Sequence, residues 1–125
     1  MCLITNEPEQ IADKDIVCYK VLKVSHGSNK CTYFTPYQNK RVFLNKNLLA
    51  YGKEEIEEHS FSFKSIGEGF IHVYSTLERA RKYLSNNEKI IVKCIIRKGT
   101  RYYSSYYLYQ EYCAKKVFIT NEIMT

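Results

Sequence analysis

The segment from Gly67 to Ala80 places a glycine turn, a short apolar strand and a helix start in direct succession, and it constrains the fold more than any other part of the chain. Ser75 precedes the helical pattern and Glu78 follows three residues later, which is the spacing of a capping box. The first turn of a helix leaves backbone N–H groups without intrahelical partners, and such donors favour an anion. We therefore expect a strand-to-helix junction here, and its first candidate ligand-binding residues are His72, Tyr74, Ser75 and Thr76.

Length and composition indicate one domain of ordinary globular type. The chain has 125 residues, of which 45% are hydrophobic and 26% are charged. It contains no apolar run of about 18 residues and no secretory signal pattern, so we expect a cytoplasmic protein without a membrane partner. Its five cysteines form no Cys-x-x-Cys pair, which argues against a metal site or a disulfide framework. Cys18 and Cys94 lie within apolar strand patterns and are expected to be reduced core residues.

Strand patterns separated by turn signals cover most of the chain. The two strongest are Ile16–Val24 and Lys89–Arg97, and one helix is expected from about Thr76 to Leu84. Residues 1–14 carry Pro8 and mixed charges, so we expect them to be loosely ordered. The pattern predicts a single α+β domain over residues 1–125, with a mainly antiparallel β-sheet and one or two short helices.

A net charge of +6 favours anionic partners, although ordinary solubility explains a charge of this size equally well. Lys20 interrupts an otherwise apolar face of the first strong strand. Two interpretations stay open for this side chain. It meets a phosphate or carboxylate, or it marks the end of the strand and extends its ammonium group to water.

The tyrosine-rich segment over residues 102–112 contains six of the twelve tyrosines. Tyrosine rings stack on nucleobases, and they also pack well across strands of a sheet. For a single ring the packing role is favoured slightly. For the group we favour a binding surface, since so many hydroxyls are difficult to satisfy inside a small core.

The leading hypothesis from the residues is a non-enzymatic protein that binds a small anionic, nucleotide-like ligand without a cofactor. The helix start with Ser75 and Thr76 would hold a phosphate, and Lys20 or Arg101 would balance its charge. The rings expected to stack on the base are Tyr102, Tyr106 and Tyr109. A different class of function is a module whose basic, tyrosine-rich face binds a host protein or nucleic acid.

Five segments of the chain together resemble a family of small uncharacterised proteins from Bacteroidetes and their phages. In order they are Asp15–Leu22, Thr35–Tyr37, Gly69–His72, Ala80 and Lys93–Tyr102. The resemblance covers most of the chain, but that family has no established activity to transfer. It implies a phage protein, with an anti-defence role such as sequestering a host signalling nucleotide.

The same order is similar, more distantly, to the core of ADP-ribosyltransferases of the diphtheria or cholera toxin type. Tyr19-Lys20 matches the early polar anchor of that core, and Tyr74–Thr76 matches its Ser-Thr-Ser strand. Arg97–Thr100 matches the end of its late strand, and Glu111 matches its catalytic glutamate. Lys20 stands where that family has an arginine, and Leu77 replaces the final serine. This resemblance implies the enzymatic alternative, an NAD-using transferase with Glu111 as its catalytic carboxylate.

Overall fold

The computed structural model describes residues 3–27, 30–36, 38–59, 63–67, 69–84, 88–105 and 110–124. Within these ranges the strands are β1 (Leu3–Thr5), β2 (Gln10–Ile11), β3 (Ile16–His26), β4 (Cys31–Phe34), β5 (Arg41–Val42), β6 (Lys46–Leu49), β7 (Ile56–Glu58), β8 (Lys64–Ile66), β9 (Ile71–Tyr74), β10 (Lys89–Ile96), β11 (Arg101–Ser104), β12 (Glu111–Ala114) and β13 (Lys116–Ile123). The helix α1 covers Leu77–Arg81. Among the described residues, no helix has the length and apolar character needed to cross a membrane.

The strands form two antiparallel sheets. The larger has the order β2-β11-β12-β9-β3-β10-β13-β6, with β4 pairing β3 and β5, and the smaller has the order β1-β8-β7. At the centre of the larger sheet, β3 and β10 pair without a break from Ile16↔Ile96 to Lys23↔Lys89. Both strands are apolar on both faces, and that pattern is typical of strands covered on two sides. The chain is thus a single domain dominated by antiparallel β-sheet.

The core lies on both faces of the β3–β10 pair. One face contributes Cys18, Leu22 and Cys94 to the largest buried cluster. The other face packs Val21 and Ile91 against Ala80 of α1. Because the helix has only five residues, the α part of the expected α+β fold is limited to this one short element.

The start of α1 differs from the expectation by one residue. Thr76 is the N-cap, with φ −129° and ψ 152°, and its Oγ1 accepts a hydrogen bond from Arg79 N at 3.1 Å. Ser75 instead donates its backbone N–H to Gln110 O at 2.8 Å, which keeps it in contact with the chain entering β12. The prediction of a Ser75–Glu78 capping box is therefore wrong, since Arg79 occupies the third position after the cap. The helix also ends at Arg81 rather than at Leu84.

Part of the segment 1–14, which the sequence pattern predicts to be loosely ordered, lies within the described residues. This part contains β1 and β2, and the side chains of Leu3 and Ala12 are each only 2% exposed. β1 pairs β8 and β2 pairs β11, so their partners lie far along the chain. The composition of a short segment does not indicate that it pairs with strands far away in the sequence.

A fork in the larger sheet positions the candidate site. β10 occupies one edge of β3, so β9 and β4 both pair the other edge. β9 meets it at Tyr19↔Tyr74, whereas β4 meets it from Lys23 to His26. Between these contacts, residues 20–22 of β3 have no recorded strand partner on that edge. The two strands diverge there and leave a gap in the sheet.

Candidate functional site

A pocket of about 120 Å³ lies at this fork. β3 contributes Lys20, and β9 contributes Ile71, His72 and Tyr74. The opposite wall comes from the loop after β4 and from β6 with the residues that follow it, principally Thr35, Lys40, Leu48, Leu49 and Tyr51. The described residues that line the pocket include neither aspartate nor glutamate.

Lys20 is a buried cation without a recorded carboxylate partner among the described residues. Its side chain is 8% exposed, and Nζ donates a hydrogen bond to the backbone carbonyl of His72 at 2.9 Å. Burial lowers the pKa of Lys20 from its usual value, because the charged form loses its hydration. The interpretation that Lys20 extends to water does not describe the structure. Its ammonium group instead bridges the fork from β3 to β9.

The mouth of the pocket carries a second cation and an aromatic ring. Lys40 Nζ donates to Leu49 O at 2.9 Å and lies 4.0 Å from the centroid of the Tyr51 ring. The loop that presents Lys40 is closed by two hydrogen bonds with Thr35, one from Thr35 N to Lys40 O at 2.8 Å and one from Lys40 N to Thr35 Oγ1 at 2.9 Å. Lys40 is thereby held beside Tyr51, whose side chain is 71% exposed.

His72 supports the pocket through its backbone. Its Nε2 donates to the carbonyl of Gly67 at 3.1 Å, so the neutral ring carries its proton on Nε2. Burial lowers the pKa of His72 to about 4. Its Nδ1 is buried and has no hydrogen-bond partner among the described residues. The ring is therefore neutral near pH 7, and the group that the pocket uses is the carbonyl that holds Lys20.

Tyr74 is also among the residues that line the pocket. Its side chain shares the face of Tyr19 rather than that of Lys20, and its ring stacks on Tyr83 at a centroid distance of 4.9 Å and an interplanar angle of 17°. Ser75 and Thr76 follow it along the chain but are not lining residues. The Thr76 hydroxyl is engaged in capping α1. The expected phosphate site at the helix start is thus separate from the pocket that contains Lys20.

The other predicted ligand-binding residues lie elsewhere or outside the described residues. Arg101 Nη1 contacts Glu9 Oε1 at 3.3 Å, and the Tyr102 hydroxyl donates to Gln10 Oε1 at 3.0 Å. Both belong to β11, which is separated from β3 by β12 and β9. Tyr106 and Tyr109 are not among the described residues. Of the nine predicted residues, the pocket therefore brings together Lys20, His72 and Tyr74.

Glu111, the carboxylate of the enzymatic alternative, lies on the opposite face of the sheet from Lys20. Glu111 is paired across strands with Tyr74, and Tyr74 with Tyr19, so these three side chains share one face. Lys20 follows Tyr19 on the same strand and points to the other face. The Glu111 carboxylate forms an ion pair with Arg79 at 3.4 Å. The structure does not bring Lys20 and Glu111 into one site.

Lys40 and Tyr51 were not predicted from the sequence, although a signal for this side of the molecule is present. From Ile16 to Lys53 the chain contains seven lysines and arginines but no aspartate or glutamate. This acid-free stretch runs from β3 to just beyond β6, and it contains the pocket residues Lys20, Lys40 and Tyr51. The net charge of the whole chain does not show that this stretch contains basic residues but no acidic ones.

Comparisons with protein-family models, with curated proteins and with solved structures found no match. Among the described residues, no group of three or more His, Cys, Asp or Glu side chains is arranged to hold a metal ion. Function therefore has to be inferred from the chemistry of the pocket itself.

Proposed function

We propose that this protein binds a small anionic, nucleotide-like ligand in the pocket at the fork and does not transform it. The observation that carries the proposal is the Lys20 side-chain amine, which is buried against a pocket and whose one acceptor among the described residues is His72 O. An ammonium group donates up to about three hydrogen bonds, and a buried charge without a counter-charge is costly. An anionic ligand would offset that cost with charge-assisted hydrogen bonds.

The size of the pocket supports a ligand that is only partly enclosed. Its volume of about 120 Å³ is well below the roughly 300–1,000 Å³ of pockets that enclose a whole drug-sized molecule. A phosphate group would fit beside Lys20, with Lys40 nearer the mouth. A base attached to that phosphate would then lie outside, next to the exposed Tyr51 ring.

The side chains around the pocket support binding rather than turnover. No carboxylate occurs among the described lining residues, and His72, the one imidazole, has its Nε2 engaged with Gly67 and its Nδ1 buried. Such a set provides charge and shape but no positioned general base. Sequestration of a host signalling nucleotide is the biological role that we propose for this site.

A thermal-shift screen with inorganic phosphate, AMP, cyclic nucleotides, ADP-ribose and NAD tests the proposal. A ligand present at a hundred times its dissociation constant adds about 2.7 kcal/mol to the free energy of unfolding. We expect AMP or a related nucleotide to raise the melting temperature of the wild type and of Lys116→Met, which removes an exposed lysine on β13. Lys20→Met is expected to abolish the shift. Equal shifts in both variants, or no shift of the wild type with any ligand, would overturn the proposal.

A further inference from the structure

Two aromatic rings beside lysine and arginine side chains are exposed on the acid-free part of the chain. Phe43 is 52% exposed, with Arg41 Cζ at 4.7 Å and Lys46 Nζ at 5.7 Å from its ring centroid. Tyr51 is 71% exposed and lies beside Lys40. We name the set Arg41, Phe43 and Lys46 the basic aromatic surface. It is distinct from the pocket, because none of the three is a lining residue.

The backbone fixes the outward direction of this surface. β5 pairs β4 through Tyr33↔Val42 and Phe34↔Arg41. Val42 is 2% exposed and belongs to the main core cluster, so its neighbours Arg41 and Phe43 point to the opposite side. The exposed Phe43 ring therefore directly follows a buried residue of β5.

The cations of this surface differ from three of those beside other rings, whereas Lys40 beside Tyr51 and Lys64 beside Tyr103 also have no ion pair within the described residues. Arg79, Arg97 and Lys115 each lie next to an aromatic ring, and each forms an ion pair with a carboxylate. No ion pair is recorded for Arg41 or Lys46 within the described part of the chain. Their charges are thus available to an anionic partner. Lys46 is also the first residue of β6, the last strand in the order of the larger sheet.

We infer that the basic aromatic surface binds single-stranded nucleic acid, with a base stacked on Phe43 and phosphates contacted by Arg41 and Lys46. Stacking on exposed rings between basic side chains is the mode by which proteins hold single strands without sequence preference. A duplex offers its phosphates but keeps its bases stacked inside. An acidic peptide would satisfy the charges but has no base to stack on the ring. The combination of ring and unpaired cations therefore favours a single strand.

Fluorescence anisotropy with labelled ten-nucleotide oligo-dT and oligo-U at two salt concentrations tests the inference. Phe43→Leu keeps an apolar side chain and removes the ring, and we expect it to weaken binding about 5-fold or more. Arg41→Gln and Lys46→Gln are each expected to weaken binding and to reduce the slope of log K against log salt by about 0.7. Arg97→Gln is the matched control, because Arg97 is an exposed cation beside a ring but is paired with Asp15, and we expect it to bind as the wild type does.

Three results would overturn the inference. They are no oligonucleotide binding by the wild type at low salt, equal affinity of the wild type and Phe43→Leu, and equally tight binding of poly-glutamate with the same dependence on Phe43. Melting temperatures of all variants establish that each is folded. AMP binding measured on the same variants is expected to be unchanged, so failure at this surface is distinguishable from failure of the pocket.

Discussion

Lys20 lies on an otherwise apolar face of β3 and is buried at the fork where β4 and β9 diverge. We predict that Lys20→Met raises the free energy of unfolding at pH 7 by roughly 1–3 kcal/mol, because it removes a buried amine whose charged form is disfavoured by burial and whose one acceptor among the described residues is His72 O. The His72 carbonyl then faces the pocket, where water can donate to it. Urea denaturation of the variant and the wild type measures the difference.

The pH dependence provides the check on this prediction. The pKa of Lys20 is lowered in the folded protein, so between that lowered value and 10.5 the unfolded state binds one more proton than the folded state. Wild-type stability should therefore rise with pH across this window, and the contribution should be absent in Lys20→Met. A variant that is less stable than the wild type and keeps the same slope would contradict the assignment.

His72 contributes a pH dependence of the same sign at acidic pH. Its pKa falls from 6.5 to about 4 on folding, so below pH 6.5 the unfolded state gains the proton first. We predict that its contribution to stability decreases from pH 6.5 to pH 4, by roughly 3 kcal/mol in all, and changes no further below that. Chemical denaturation of the wild type and His72→Gln at several pH values measures this contribution. Parallel curves for the two proteins would show that His72 is not its source.

At the scale of elements, the two adjacent hydroxyl residues at the start of α1, Ser75 and Thr76, have different roles. Thr76→Ala removes the acceptor of the Arg79 N–H and should cost about 1 kcal/mol. Ser75→Ala is the matched control, since its recorded contact is made by the backbone, and we expect a change within about 0.5 kcal/mol. The urea denaturation midpoints of both variants, compared with that of the wild type, test this prediction. A larger loss of stability in Ser75→Ala than in Thr76→Ala would show that Ser75 is the N-cap.

The turn before β9 requires a glycine for two reasons. Gly69 has φ +85°, and a Cβ there would lie 2.5 Å from Lys53 O and 2.7 Å from Glu54 Cα. Both are backbone atoms, so we predict that Gly69→Ala costs about 2 kcal/mol or more.

Gly52→Ala isolates the steric part of that cost. Gly52 has a similar φ of +87°, but a Cβ there meets nothing within 4 Å. Its substitution should therefore cost only about 1 kcal/mol. Thermal unfolding of the two variants compares them directly, and equal losses would rule out the close approach at Gly69.

Elements with strong local patterns could be predicted from the sequence, whereas those that depend on distant partners could not. β3 and β10 follow from long apolar runs, and their boundaries agree within two residues with Ile16–Val24 and Lys89–Arg97. β1 and β2 are short, and what orders them is pairing with β8 and β11. The N-cap is Thr76 rather than the predicted Ser75, whose backbone N–H donates to the Gln110 carbonyl just before β12.

At the scale of the whole molecule, the candidate site is a product of topology. Lys20 could be identified from its strand, but Lys40 and Tyr51 reach the pocket from the loop after β4 and from the residues after β6, an arrangement that depends on the pairing of distant strands. Arg101 and Tyr102 have plausible chemistry for a ligand, but their side chains contact Glu9 and Gln10 and they do not line the pocket. The acid-free stretch from Ile16 to Lys53 is the sequence signal that unites the pocket and the basic aromatic surface.

The most direct test of the central claim is a ¹H–¹³C NMR titration of protein with ¹³C-labelled lysine side chains, with Lys20→Met identifying the Lys20 signal. If the pocket holds an anion on Lys20, AMP should shift that signal to saturation and raise the pKa of Lys20, because a phosphate favours the charged form. An exposed lysine such as Lys116 should change little. A Lys20 signal that keeps both its position and its pKa at saturating AMP and at saturating inorganic phosphate would contradict the account.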